Sequence, residues 1–152
     1  MRRLLPLLVL LVALAGCGGN GGPKVPAGYE SHDLGDGWLL LWKADGSAAK
    51  LQRNGEDVAA GGIAIRPLGP EPGETVGDIP QVAAEFSSPR AIENASLFVD
   101  GTALDTKEGG STLRETLYGA PASSLSSGRH VVVAAARAGD SATARAWTFS
   151  VR

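Results

Sequence analysis

Short stretches in which apolar and polar residues alternate one for one recur through the second half of the chain, and they leave little room for anything but β-structure. Val82, Ala84 and Phe86 fall on one side of such a stretch, with Gln81 and Glu85 on the other. Leu97 and Val99 mark a second, over 96–99. Trp147, Phe149 and Val151 alternate with Ala146, Thr148 and Ser150 in the last, over 144–151. A period of two is that of a strand, whose successive side chains point to opposite faces. Residues 130–137 differ. There Val131, Val132 and Val133 make both faces apolar, as in a strand covered on both sides. Ile63 and Ile65 start a shorter alternation, which Arg66-Pro67-Leu68-Gly69-Pro70 turns into extended or turning chain. Leu113 to Tyr118 is a further run. Asp100-Gly101 is a tight-turn signal after which Ala103-Leu104 begins a return, and Pro121 to Ser127 is a loop with one apolar residue, Leu125. Several short strands with turn residues between them predict an all-β sandwich over residues 61–152. About 90 residues suffice for one modest core, and a chain with one Cys cannot staple it with a disulfide.

The preceding segment, 29–60, predicts a β-hairpin. Gly37-Trp38-Leu39-Leu40-Leu41-Trp42-Lys43 is too short for a good helix and is bounded by Gly and Asp. Asp45-Gly46 is a hairpin-turn signal, and Ala48 to Arg53 returns as the second strand. Trp38, Leu40 and Trp42 share one face, Leu39 and Leu41 the other. An isolated hairpin is marginal in water, so this one is expected to pack on the domain that follows. Trp38 and Trp42 have two readings: core packing between hairpin and sandwich, or a pair of indoles forming a stacking platform for sugar rings.

The chain opens with Met1-Arg2-Arg3 and the apolar run Leu4 to Ala15, the pattern of a secretory signal peptide. The run is short of the roughly 20 apolar residues that a membrane-spanning helix needs. Leu14-Ala15-Gly16-Cys17 resembles the lipobox of bacterial lipoproteins. The resemblance implies that the Cys17 thiol takes a diacylglycerol, that residues 1–16 are cleaved off, and that Cys17 becomes the mature N-terminus; a plain signal peptide or an uncleaved anchor is the alternative. Two acyl chains anchor stably where one is marginal. Loss of Arg2 and Arg3 leaves 12 basic and 16 acidic side chains, so an anionic leaflet adds no attraction. Residues 17–28, rich in Gly, read as a flexible tether behind the lipidated Cys.

Pro72-Gly73, then residues 80–86, then Leu97-Phe98-Val99-Asp100-Gly101, Tyr118, Leu125-Ser126-Ser127-Gly128-Arg129-His130-Val131-Val132-Val133, and finally Trp147-Thr148-Phe149-Ser150-Val151 follow one another in an order that resembles the bacterial Ig-like domains of cell-surface proteins. The resemblance covers residues 63–152. It implies a single Ig-like sandwich whose sheet faces or end loops meet a partner, a function assigned by analogy of fold. Arg137-Ala138-Gly139-Asp140-Ser141 is shorter than the family's turn before the last strand, and gives no ground for carrying over a calcium site. The Cys-Trp-Cys pattern of antibody domains is absent, which excludes that type.

Side-chain chemistry points away from catalysis. There is no Gly-x-Ser-x-Gly elbow, and lipidation consumes the one thiol. Glu71, Glu74 and Asp78 lie close together, and paired acids can cleave glycosides, but a Pro/Gly-rich connection is the setting of a solvated charge run. His32, Asp33 and Asp36 share a Gly-rich loop that could take a cation. The loop lacks the EF-hand pattern and a second His or Cys for zinc, and turn chemistry accounts for its Asp and Gly. His130 stands at the family's turn position, which implies a structural or exposed role. Asn94-Ala95-Ser96 reads as a loop leading into a strand, not a glycan acceptor. No cofactor or metal is implied. A net charge of −2 and no Lys/Arg stripe argue against nucleic acid as partner. The expectation is a non-enzymatic, lipid-anchored, extracytoplasmic protein of a bacterial cell envelope. It would hold the membrane through acyl chains on Cys17 and serve binding, adhesion or spacing toward an unidentified envelope protein or glycan. The alternative is a carbohydrate or cell-wall glycan module using Trp38 and Trp42. A third reading is a complex subunit that adds an edge strand to a larger partner.

Overall fold

The computed structural model describes Gly22 and residues 24–152. Every regular element among them is a strand. The first four are β1 (Glu30–Gly35), β2 (Trp38–Trp42), β3 (Ala49–Arg53) and β4 (Glu56–Asp57), joined in that order as an antiparallel sheet. The expected hairpin is β2 and β3, in the register Trp38↔Arg53 to Trp42↔Ala49. It is the middle of a larger sheet, because β1 and β4 add to its two edges. Both were hidden from a pattern-based reading for a physical reason. The β1 sequence ESHDLG is mostly polar and exposed, so it joins through its backbone with little apolar burial, and β4 is only two residues long. Asp45 Oδ1 accepts from Ser47 N at 2.9 Å and Lys43 O accepts from Gly46 N at 2.9 Å, which closes the β2–β3 turn.

The remaining strands are β5 (Ala64–Gly69), β6 (Thr75–Val76), β7 (Val82–Ser87), β8 (Asn94–Val99), β9 (Thr102–Ala103), β10 (Thr106–Ser111), β11 (Arg114–Gly119), β12 (Gly128–Ala138) and β13 (Ser141–Val151). They form two sheets, an outer one ordered β10-β11-β7-β5 and a central one ordered β6-β13-β12-β8-β9. These orders are those of an Ig-like sandwich: D-E-B-A in one sheet, and G-F-C in the other with short strands at its margins. β6 runs parallel to β13. The stretch Arg66-Pro67 does not end β5. The proline sits on an edge strand, where its missing N–H removes no ladder bond, and the register shifts just after it.

The alternation along β12 explains how the three layers assemble. Val132, Ala134, Ala136 and Ala138 face the outer sheet and pack in one core with Phe86, Leu117, Trp147 and Phe149. Val131, Val133 and Ala135 face the other way and pack in a second core with Trp38, Leu40, Trp42 and Leu51. The central sheet is therefore covered twice, by the outer sheet on one side and by β1–β4 on the other. Small side chains on the second face, Ala135 and Ala142 among them, let the N-terminal sheet settle close. At the β2–β3 turn the approach is tight. A Cβ on Gly46, whose φ is +72°, would lie 2.8 Å from Thr148 Cγ2.

Candidate functional site

The residues singled out by sequence go to different places. Trp38 and Trp42 do share one face of β2, and that face is inside the molecule. They are 5% and 3% exposed, in the core between the N-terminal and central sheets. The guanidiniums of Arg53 and Arg137 lie 5.3 and 5.0 Å from the Trp38 ring centre, and Gly101 is so near Trp42 that a Cβ there would be 3.2 Å from Cζ2. The stacking platform expected as an alternative thus corrects to core packing: large apolar rings between two sheets gain more from burial than from exposure. Cys17 lies outside the described residues.

His32, Asp33 and Asp36 do not converge on a common point. The His32 ring lies 4.9 Å from that of Phe98, Asp33 Oδ1 accepts from Gly35 N at 2.8 Å, and Asp36 adopts a left-handed turn conformation with φ of +52°. Among the described residues no group of three His, Cys, Asp or Glu could hold a metal ion. Of the acids in the Pro/Gly-rich connection, Glu74 accepts from Glu71 N at 2.7 Å, and Asp78 accepts from the Ser124 hydroxyl at 3.3 Å. They fasten loops.

His130 is the best-built polar centre. Its Nδ1 is 2.6 Å from Asp100 Oδ2 and its Nε2 is 2.7 Å from the carbonyl oxygen of Ser126. Asp100 Oδ1 accepts from Val131 N at 2.9 Å. Asp100 reaches this position from the Asp100-Gly101 turn, in a left-handed conformation that Asp tolerates better than most residues. Both ring nitrogens face acceptors, and only the imidazolium has an N–H for each. Burial opposes the charge, but the bonds to Asp100 and Ser126 and the Asp100 charge outweigh it and raise the pKa above its ordinary value. Asp100 and His130 were each visible as motif pieces, but thirty positions separate them, and no local pattern joins them. His130 thus ties the β8–β9 turn and the loop before β12 to the start of β12. A recess of about 580 Å³, lined by Thr102, Leu104, Pro121 and Leu125 among others, opens between these same two segments at one end of the sandwich.

A raised folded-state pKa fixes the sign of the pH response. The stabilisation is fully present below the unfolded value of about 6.5 and is lost as pH rises through the folded value above it. Denaturant titrations of the chain and of His130→Ala at a series of pH values are expected to differ by about 1–3 kcal/mol at acidic pH. The difference should shrink as pH climbs. A gap independent of pH would show that the imidazolium is not the bonded form.

No protein-family model matches the sequence, and no curated protein is similar to it. Several solved structures are similar to it, two of them as follows. One is the endo-beta-1,4-mannanase from Thermotoga petrophila, at 11% identity and a TM-score of 0.50. The match covers 59% of this chain and 20% of the mannanase, so it spans about a fifth of that enzyme. The other is CopC from Methylosinus trichosporium OB3b, at 20% identity and a TM-score of 0.42, covering 58% of this chain and 93% of CopC. At 11% identity, what the chain has in common with the mannanase is fold.

Proposed function

We propose that the chain is a lipid-anchored, extracytoplasmic Ig-like protein of a bacterial cell envelope, with a binding, adhesion or spacer role and no catalysis of its own. The observation that supports this reading is that the fold closes its own core. Both faces of the central sheet are covered by the chain's own layers, so the body needs no second protein to bury its apolar strands. What it presents outward is loops, polar faces and strand edges. In this reading Leu14-Ala15-Gly16-Cys17 supplies the anchor, and residues 17–28 hold the folded body away from the membrane. The glycan alternative depended on an open Trp38/Trp42 face, and two rings buried between sheets provide none.

Detergent-phase partitioning of the chain and of Cys17→Ser tests the anchor. The unchanged chain is expected in the detergent phase with its leader removed. Cys17→Ser is expected in the aqueous phase, or as an uncleaved precursor. A Cys17→Ser product that stays in the membrane with its leader removed would overturn lipidation.

A further inference from the structure

Six strands form the margins of the three sheets: β1, β4, β5, β6, β9 and β10. A bare edge is a template for foreign strands, and native folds blunt such edges. Five of the six are short or interrupted here. β4, β6 and β9 have two residues each. β1 is broken by a register shift between Asp33 and Gly35, and β5 by Pro67 and the shift that follows it. β10 is the longest edge without a proline or a register shift. It has six residues, five of them exposed, and pairs one for one with β11 from Thr106↔Gly119 to Ser111↔Arg114; Lys107 and Glu108 charge it, and Gly110 is left-handed with φ of +105°.

We infer that β10 is the docking edge for an extended segment of a partner protein, which adds a fifth strand to the outer sheet and places a Lys or Arg beside Glu108. This rests on the binding reading above and names the kind of partner it takes. The chemistry of the segment follows from what flanks the edge. Glu108 is paired with Leu117, a fully buried residue, so Glu108 stands on the inward face at the sheet's margin. Glu115, paired with the buried Phe86, is on the same face. Both line a cleft of about 480 Å³ whose other wall includes Glu93, just before β8. None of the three carboxylates has an ion-pair partner among the described residues. Burial, and then the Glu108 charge, hold the Glu115 carboxyl above its usual range.

Side chains of an added strand point inward at every second position. A basic one there meets Glu108 and Glu115, which have no cation of their own, while Glu93 Oε1 accepts from Gly139 N at 3.1 Å. An apolar or acidic one leaves like charges unrelieved, so the cleft selects against it. The backbone ladder supplies affinity and the cleft supplies choice.

The test is an NMR titration of the ¹⁵N-labelled full chain in detergent micelles with the peptide acetyl-Thr-Lys-Thr-Lys-Thr-Lys-amide. Two further peptides run beside it: the same sequence with N-methylated backbone amides, and its Glu-for-Lys counterpart. Amide shifts are expected to concentrate on residues 106–111. The Glu108→Gln, Glu115→Gln chain is expected to bind about tenfold more weakly, as loss of close charge pairs implies. The N-methylated and Glu peptides are expected not to bind. Shifts on another face, equal binding of the N-methylated peptide, or no shifts at millimolar Lys peptide would each overturn the inference. Cys17→Ser fractionation reads the anchor separately, so loss of either result leaves the other standing.

Discussion

Trp42→Ala is expected to lower the unfolding free energy by about 3–5 kcal/mol, the usual cost of deleting a buried aromatic ring. The ring is 3% exposed, touches the Asp100-Gly101 turn, and sits in the core that joins the N-terminal and central sheets. Its Nε1 has no hydrogen-bond partner among the described residues, so packing holds it in place. A domain of this size commands only about 5–15 kcal/mol in total, so the variant should shift its urea midpoint strongly without changing the fold of what remains. A ring on an open surface behaves otherwise. Its removal changes stability by about 0.5 kcal/mol or less and abolishes ligand binding instead. A midpoint within error of the unchanged chain would return Trp42 to the surface and revive the stacking platform.

Removing the N-terminal sheet is the second large effect. A chain that begins at residue 61 keeps both sandwich sheets but uncovers Phe98, Val131, Val133, Ala135 and Ala142, all now beneath β2 and β3. An apolar face of this kind on a monomer promotes association. The shortened chain is expected to melt on the order of 10 °C or more below the longer one, to bind a hydrophobic dye, and to self-associate on size exclusion. A monomer with an unchanged melting temperature would mean that the sandwich and the sheet before it are independent units.

Which strands were legible in the sequence follows from what each one buries. β7 and β13 alternate because each has an inner and an outer face, and their periods announce them. β12 announced something more, since apolar residues on both its faces called for a second cover, which β1–β4 provide. β10 was invisible. Its sequence TKEGGS has no apolar face and carries two glycines, and only the free edge of β11 makes it a strand. The two-residue β6 gave no period to read. The tryptophans read as core with a surface platform as the alternative, because strand alternation says which residues share a face and nothing of what lies over it. His130 and Asp100 were separately noticeable, but their meeting depends on the return of β12 beside β8, a long-range pairing that no local rule supplies.

The double cover of the central sheet also sets an order in time. β12 and β13 pair over eleven residues across a tight turn, from Ala138↔Ser141 out to Gly128↔Val151, and close neighbours in sequence meet quickly. β2 has no such neighbour. It is synthesised before β12, whose Val131 and Val133 complete its burial. Until they arrive, the core around its two tryptophans is incomplete. β2 is therefore made well ahead of the strand that covers it, and its sheet becomes dry only once β12 is in place.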